Sequence, residues 1–134
     1  MSPAAARAAA LDELEGERWD NGIEWRPVRH QLGIEAFGAG AWLGDTGVEL
    51  IEEHTELAGG ADEHEELYLV VRGRATFTVE GEELDAPAGT FVAVPDPSAT
   101  RRAVAAEDGT AILAVGAPRG RAYEVAPWER RRLG

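Results

Sequence analysis

Cysteine is absent from the 134 residues. That removes any disulfide framework, any thiolate nucleophile and any sulfur-based zinc site, so stability has to come from packing. No apolar run approaches the length needed to span a bilayer. The alanine-rich start, Ala4 to Ala10, is interrupted by Arg7 and followed at once by Asp12 and Glu13. It lacks the apolar stretch of a signal peptide, and the expected location is the cytoplasm. Basic residues are scarce: thirteen stand against twenty-five acidic ones, a formal net charge of −12. A field of that sign repels phosphate backbones and anionic lipid, which argues against nucleic-acid and membrane-surface partners. The Arg130-Arg131-Arg132 cluster is short and reads as a solvated tail. A Gly-flanked serine elbow and a phosphate-cradling loop are also missing.

What is present fits one domain with one core. Three parts are read along it: a helical segment over 1–18, a barrel over 19–118 and a tail over 119–134 that packs its aromatics, Tyr123 and Trp128, on the outside of the barrel. Ser2 caps and Pro3 opens a helix predicted over Ala4 to Glu15, with Gly16 as its stop. From Trp19 onward the pattern is short β-type runs cut by Gly and Pro. Strands are predicted at Glu24 to Val28, Gly33 to Phe37 and Ala39 to Leu43, and at Val48 to Leu57 ending at Ala58-Gly59-Gly60. Leu67 to Val71, Arg72-Gly73 and Ala75 to Val79 read as strand, tight turn, strand, with a further turn at Glu80-Gly81-Glu82. Phe91 to Val94, Arg101 to Ala105 and Thr110 to Val115 complete the set. Many short strands at this spacing, without helical pattern between them, predict an all-β sandwich or closed barrel.

Two motifs then resemble the cupin superfamily of small jelly-roll barrels. Glu66, six residues and Gly73 match the end of the first cupin motif. Gly89, five residues, Pro95 and the Asp96-Pro97-Ser98-Ala99 turn match the second, with Thr100 where the family has a His. The resemblance covers roughly Val48 to Val115 and implies a double-stranded β-helix of the small, single-domain bacterial type. In metal-holding cupins two further His precede the Glu, and by spacing they fall here on Gly60 and Asp62. Only Glu66 remains of that ligand set.

Alternation places His64, Glu66 and Tyr68 on one face of their strand, and Glu52, His54 and Glu56 on one face of the strand before it. If Glu66 faces inward as in cupins, His64 follows it, and His54 approaches both across the cup. His54, His64 and Glu66 are therefore candidate ligands for a divalent transition metal, zinc, iron, nickel or manganese. A metal-free ion pair between His64 and Glu66 is the competing reading, and His54 also fits a solvated acidic edge. Past the Pro-Asp-Pro turn, Thr100 and Arg102 share a face, and Arg102 is read as a clamp for a ligand carboxylate or phosphate, or as a surface ion pair. His64, Glu66, Tyr68, Thr100 and Arg102 form the candidate ligand site.

The function expected is a small-molecule-binding barrel, metal-free or metal-poor. The alternative is a metal-dependent oxygenase, isomerase or decarboxylase acting on a small organic acid through a relocated His/Glu site. A third reading is a structural, oligomerising module. The apolar outer face Leu67, Leu69, Val71 predicts a homodimer, because a strand apolar on both faces needs covering on both.

Overall fold

The computed structural model describes residues 5–57 and 63–133. Ser2, Pro3, the Ala58-Gly59-Gly60 stop and positions 60 and 62 lie outside them.

Ten strands form two antiparallel sheets facing each other. The larger sheet runs, in spatial order, β1 (Glu17–Arg18), β2 (Glu24–Arg26), β3 (Gly38–Gly44), β10 (Thr110–Pro118), β5 (His64–Arg72) and β8 (Phe91–Val94). The smaller runs β4 (Glu49–His54), β9 (Arg101–Ala105), β6 (Arg74–Val79) and β7 (Glu82–Pro87). This is the jelly-roll arrangement. Among the described residues no helix is long and apolar enough to cross a membrane.

Glycines with positive φ set two of the chain reversals. Glu80 and Gly81, at φ 49 and 79, make a two-residue turn that pairs Val79 with Glu82. Gly73, at φ 78, carries the chain from β5 in one sheet to β6 in the other, so Arg72-Gly73 is a corner between sheets and not a hairpin. A side chain at Gly73 would meet the Thr110 Cα at 2.8 Å. Thr110 is fully buried, and its hydroxyl lies 2.7 Å from the Glu107 carbonyl and accepts the Arg74 N–H at 3.2 Å, which joins the two sheets at this corner.

The core fills the space between the sheets in rows. Trp42, Ile112 and Val70 are cross-strand partners at one level, and Gly40, Ala114, Tyr68 and Val92 at the next. Opposite them stand Ile51, Ala103 and Phe77 of the smaller sheet. The Tyr68 and Phe77 rings meet at 5.4 Å between centroids. Removing a side chain such as Phe77 from water stabilises by about 2–3 kcal/mol, and these two rings leave room only for alanine on β9 beneath them.

Four expectations change. The helix over Ala4 to Glu15 is reduced to one 3-10 turn, Leu11–Glu13, because Leu11 docks on the outer face beside Ala41, Leu43 and Ala111 while the alanines have nothing to bury against. The strand at Glu24 to Val28 stops at Arg26, and Pro27 leads into α1 (Val28–Leu32), whose C-terminus is closed by Gly33 at φ 76. No strand forms over Gly33 to Phe37. The tail forms a helix, α2 (Pro127–Leu133), whose Trp128 packs on Trp25 at 5.0 Å and Trp19 at 6.2 Å between centroids. Trp25 is the register partner of Trp42 and shares its inward face, so α2 covers the inner side of the larger sheet beyond the reach of the smaller one, and not the outside of the barrel.

Candidate functional site

Six polar side chains gather at one mouth of the barrel, delivered by β4, β5 and β9. On β5 strict alternation turns His64, Glu66, Tyr68 and Val70 inward and leaves Leu67 and Val71 exposed. Tyr68 donates its hydroxyl to Glu66 Oε1. The ring of Tyr68 is core, and its oxygen belongs to the site.

The guanidinium in the cup belongs to Arg101. Arg101, Ala103 and Ala105 face inward, and Arg101 is fully buried. Its Nη1 donates to Glu66 Oε1 at 2.8 Å, its Nε to the Ala99 carbonyl at 2.9 Å and its Nη2 to the Asp96 carbonyl at 3.0 Å. The loop presents those carbonyls because Asp96 accepts both the Ser98 N–H at 2.9 Å and the Ser98 hydroxyl at 2.7 Å, a local turn that bends the backbone over the guanidinium.

From the end of β4 comes His54, and from the bend just after it Glu56. The pairing of β4 with β9 is irregular between Glu49 and Ile51 and again between Ile51 and His54. Strict alternation therefore fails: Leu50 and Ile51 are both buried, Glu52 and Glu53 both exposed. Glu56 is then drawn in, its N–H donating to the Pro97 carbonyl at 2.8 Å. His54 Nε2 lies 3.2 Å from Glu56 Oε2 and 3.6 Å from Glu66 Oε1, and its Nδ1 lies 2.7 Å from the Glu52 carbonyl. His64 Nδ1 lies 3.7 Å from Glu56 Oε1.

These contacts set the ionisation. Burial acts to lower the His54 imidazole, but hydrogen bonds to Glu56 and Glu66, the Glu52 carbonyl and the Glu66 charge outweigh it and raise it from 6.5 to about 10. Burial acts to raise the Glu66 carboxyl, but hydrogen bonds from His54 and Tyr68 and the charges of His54 and Arg101 hold it below the ordinary value. Burial raises the Tyr68 phenol well above its usual value, with the Glu66 charge adding to the effect.

Of the expected site residues, His54, His64, Glu66 and Tyr68 meet at the mouth, and two do not. Arg102 points outward, where its Nε donates to Glu49 at 2.7 Å among the acidic side chains of the outer face. Thr100 sits at the β6–β7 turn, its N–H donating to Glu80 Oε2 at 2.8 Å and its carbonyl accepting the Glu80 N–H at 2.9 Å. The error is one of parity: reading the cup face from position 100 selects Arg102, whereas the two core rings require the small side chains of Ala103 and Ala105 inside, which selects Arg101. Glu56 and Arg101 were missed as site residues. The alanines two and four places after Arg101 carried the signal for it; for Glu56 the signal was its position two residues after His54, on the same face by alternation.

Donor atoms of His54, Glu56 and Glu66 lie within 4.8 Å of one another, a group able to hold a metal ion. His64 is not part of it, so the expected trio His54, His64, Glu66 is replaced by one imidazole and two carboxylates. At the three positions where the resemblance implies a His, the sequence has Gly60, Asp62 and Thr100. Beside the mouth a cleft of about 660 Å³ is bordered by Leu57, Glu63, Glu65, Asp96 and Arg119. None of the six clustered side chains lines it.

No protein-family profile matches the chain, and a search of curated proteins returns no match. Solved structures do match. KdgF from a Halomonas species superposes with a TM-score of 0.65 at 23% identity, over 82% of this chain and 93% of that one. An RmlC-like cupin from Shewanella frigidimarina gives 0.63 at 22% identity, over 84% and 91%. A predicted oxalate decarboxylase from Thermotoga maritima gives 0.65 at 16% identity, over 82% and 97%.

Two expected outcomes follow from the geometry. Arg101→Met leaves the Glu66 carboxylate buried without its cation and should lower the unfolding free energy by about 3–5 kcal/mol, while Arg102→Met should stay within about 0.5 kcal/mol; urea denaturation of both variants compares them. Because folding raises the His54 imidazole, its stabilisation is complete below pH 6.5 and is lost as pH rises toward 10. The imidazole should remain protonated at pH 8 by nitrogen-15 chemical shift, and His54→Gln should flatten the melting-temperature profile across that window.

Proposed function

Starting from a barrel of the cupin fold, we propose that this chain binds a small organic molecule at a mouth organised by an internal ion pair in place of the family's usual metal centre. The observation that carries this reading is the fully buried Arg101 guanidinium, 2.8 Å from the carboxylate of Glu66. Of the usual ligand positions only Glu66 keeps the family's residue, and a fixed cation already occupies its oxygen. A metal sharing that oxygen would face the guanidinium at close range, where two like unit charges about 4 Å apart repel by about 4 kcal/mol at an effective dielectric constant of about 20. The formal charges also balance without a metal, with Glu56 and Glu66 set against Arg101 and a protonated His54. A neutral, hydrogen-bonding mouth suits a small polar ligand. His54, its side chain 37% exposed, is the group such a ligand meets first, with Glu56 and His64 behind it.

The alternative has its own observation in the convergence of His54, Glu56 and Glu66. An imidazole and two carboxylates suit iron, manganese, zinc or nickel. One neighbour of this fold is described as a predicted oxalate decarboxylase, which fits an enzyme of small organic acids. Elemental analysis of protein purified without added metal separates the two. The ion-pair reading expects well under one transition-metal equivalent. A near-stoichiometric metal that disappears in Glu56→Gln would replace it with the enzyme.

We extend the proposal to assembly. The outer face of β5 and β8 is apolar and uncovered, with Leu67 at 41%, Val71 at 45% and Phe91 at 63% exposure, while the 3-10 turn and α1 already cover the β3 side of the same sheet. On a chain carrying −12 this face carries charge at one end only, where Glu65 pairs with Arg119. Two copies stacking the same flat face about a two-fold axis meet its requirements, because a sheet face is its own complement. Sedimentation equilibrium should show a dimer that Phe91→Glu converts to monomer; a monomer in the unsubstituted protein at micromolar concentration would remove this part of the proposal.

A further inference from the structure

The chain leaves β10 at Pro118, the register partner of His64, and returns to the same mouth at Tyr123. The Tyr123 ring lies 5.5 Å from the His64 ring between centroids, tilted by 42°. Its other face rests on the backbone at Gly38, where an added Cβ would meet the phenol oxygen at 3.0 Å and ring carbons at 3.1 and 3.3 Å. Gly38 pairs with Gly116, which pairs with Glu66. A side chain at Gly116 would in turn meet the Glu66 Cγ at 3.2 Å. Two glycines thus clear the inner face of β3 and β10 at the level of the Glu66 carboxylate, and one aromatic ring occupies the ground beside them.

That ring is anchored from outside the site. Four residues on, α2 begins, and its Trp128 nests against Trp19 and Trp25. Arg29 of α1, nearly buried, donates through Nε and Nη2 to Glu129 Oε2 at 3.2 and 2.8 Å. Tyr123 is therefore held between β10 and a docked helix, with little freedom to leave His64.

We propose that Tyr123 is a positioning residue of the ligand site: it walls the mouth on the side of His64 and fixes that imidazole with Nδ1 toward Glu56. This rests on reading the mouth as a ligand site. It adds that the C-terminal segment is part of the site, and that a ligand enters past His54, because the way past His64 is closed by a ring. The selectivity that follows is steric. A slim polar molecule reaches Glu56 and His64, and one branched on that side meets Tyr123.

The full chain can be tested with diethyl pyrocarbonate, a small electrophile that modifies accessible imidazoles, and peptide mass mapping at each of the three histidines. His64 is expected to react slowly in the unsubstituted protein and in Tyr123→Phe, which keeps the ring. In Tyr123→Ala its rate should rise by roughly an order of magnitude, with the rate at His30 unchanged. The ring-current displacement of the His64 imidazole proton resonances should be kept by the Phe variant and lost in the Ala variant, a difference that a merely structural role would not produce. Gly38→Val places methyl groups where the ring lies and should expose His64 in the same way, which keeps the test open should Tyr123→Ala fail to fold. An unchanged His64 rate in a folded Tyr123→Ala or Gly38→Val protein overturns the proposal. None of these readings uses a ligand or a metal, so failure of the metal-free reading of the mouth would appear separately, in the elemental analysis.

Discussion

A guanidinium with no exposed surface must find its acceptors inside the protein, and Arg101 finds them in the Glu66 carboxylate and the carbonyls of Asp96 and Ala99. Taking both charges out of water costs several kcal/mol per ion, so the arrangement persists only where each remaining donor and lone pair is matched. The rest of the mouth meets that demand. The Pro95–Ala99 loop turns its backbone over the guanidinium, Tyr68 closes a further lone pair of Glu66, and His54 Nε2 faces both Glu56 and Glu66. No buried side-chain nitrogen or oxygen among the described residues lacks a partner. A half-satisfied network here would be worse than an apolar core, which is why two strands, a loop and the buckled end of β4 converge on one carboxylate.

The division of labour between the sheets follows from the same demand. The larger sheet supplies the carboxylate and the smaller supplies the cation, so the ion pair crosses the sandwich as the Tyr68–Phe77 contact does one level deeper. Small residues make room for large ones: Ala103 of β9 pairs with Phe77, Gly38 of β3 lies against Tyr123, and Gly40 lies beside Trp42. Gly38-Ala39-Gly40 lies within a regular strand whose inner face is bare, so that aromatic side chains can approach.

Most of the barrel was legible because its signals are local. Turn residues at Glu80-Gly81, at Gly89 and in the Pro95–Ser98 segment mark real reversals, and alternation on β5 correctly puts His64, Glu66 and Tyr68 inside. What failed depends on distant partners. Whether Arg101 or Arg102 enters the cup is decided by the rings of Tyr68 and Phe77, which lie on other strands. Glu56 is placed by the Pro97 carbonyl, far along the chain. The N-terminal alanines have high helix propensity, but propensity without a face to bury leaves a single turn at Leu11. The helix after Pro27 is marked in the sequence, by proline at its start and Gly33 at its end, two local signals that outweigh the strand-like residues around them.

The three indoles of Trp19, Trp25 and Trp128 join the first strands to the last helix, with the Arg132 guanidinium 4.6 Å above the centre of the Trp19 ring. Three of the four tryptophans in the chain therefore report on one event, the meeting of its two ends. Their ultraviolet emission is an intrinsic gauge of whether the molecule is fastened shut, available without any label and readable on the millisecond scale in a stopped-flow cell. The order in which the sandwich assembles and the ends close can be followed in the unsubstituted protein by its own light.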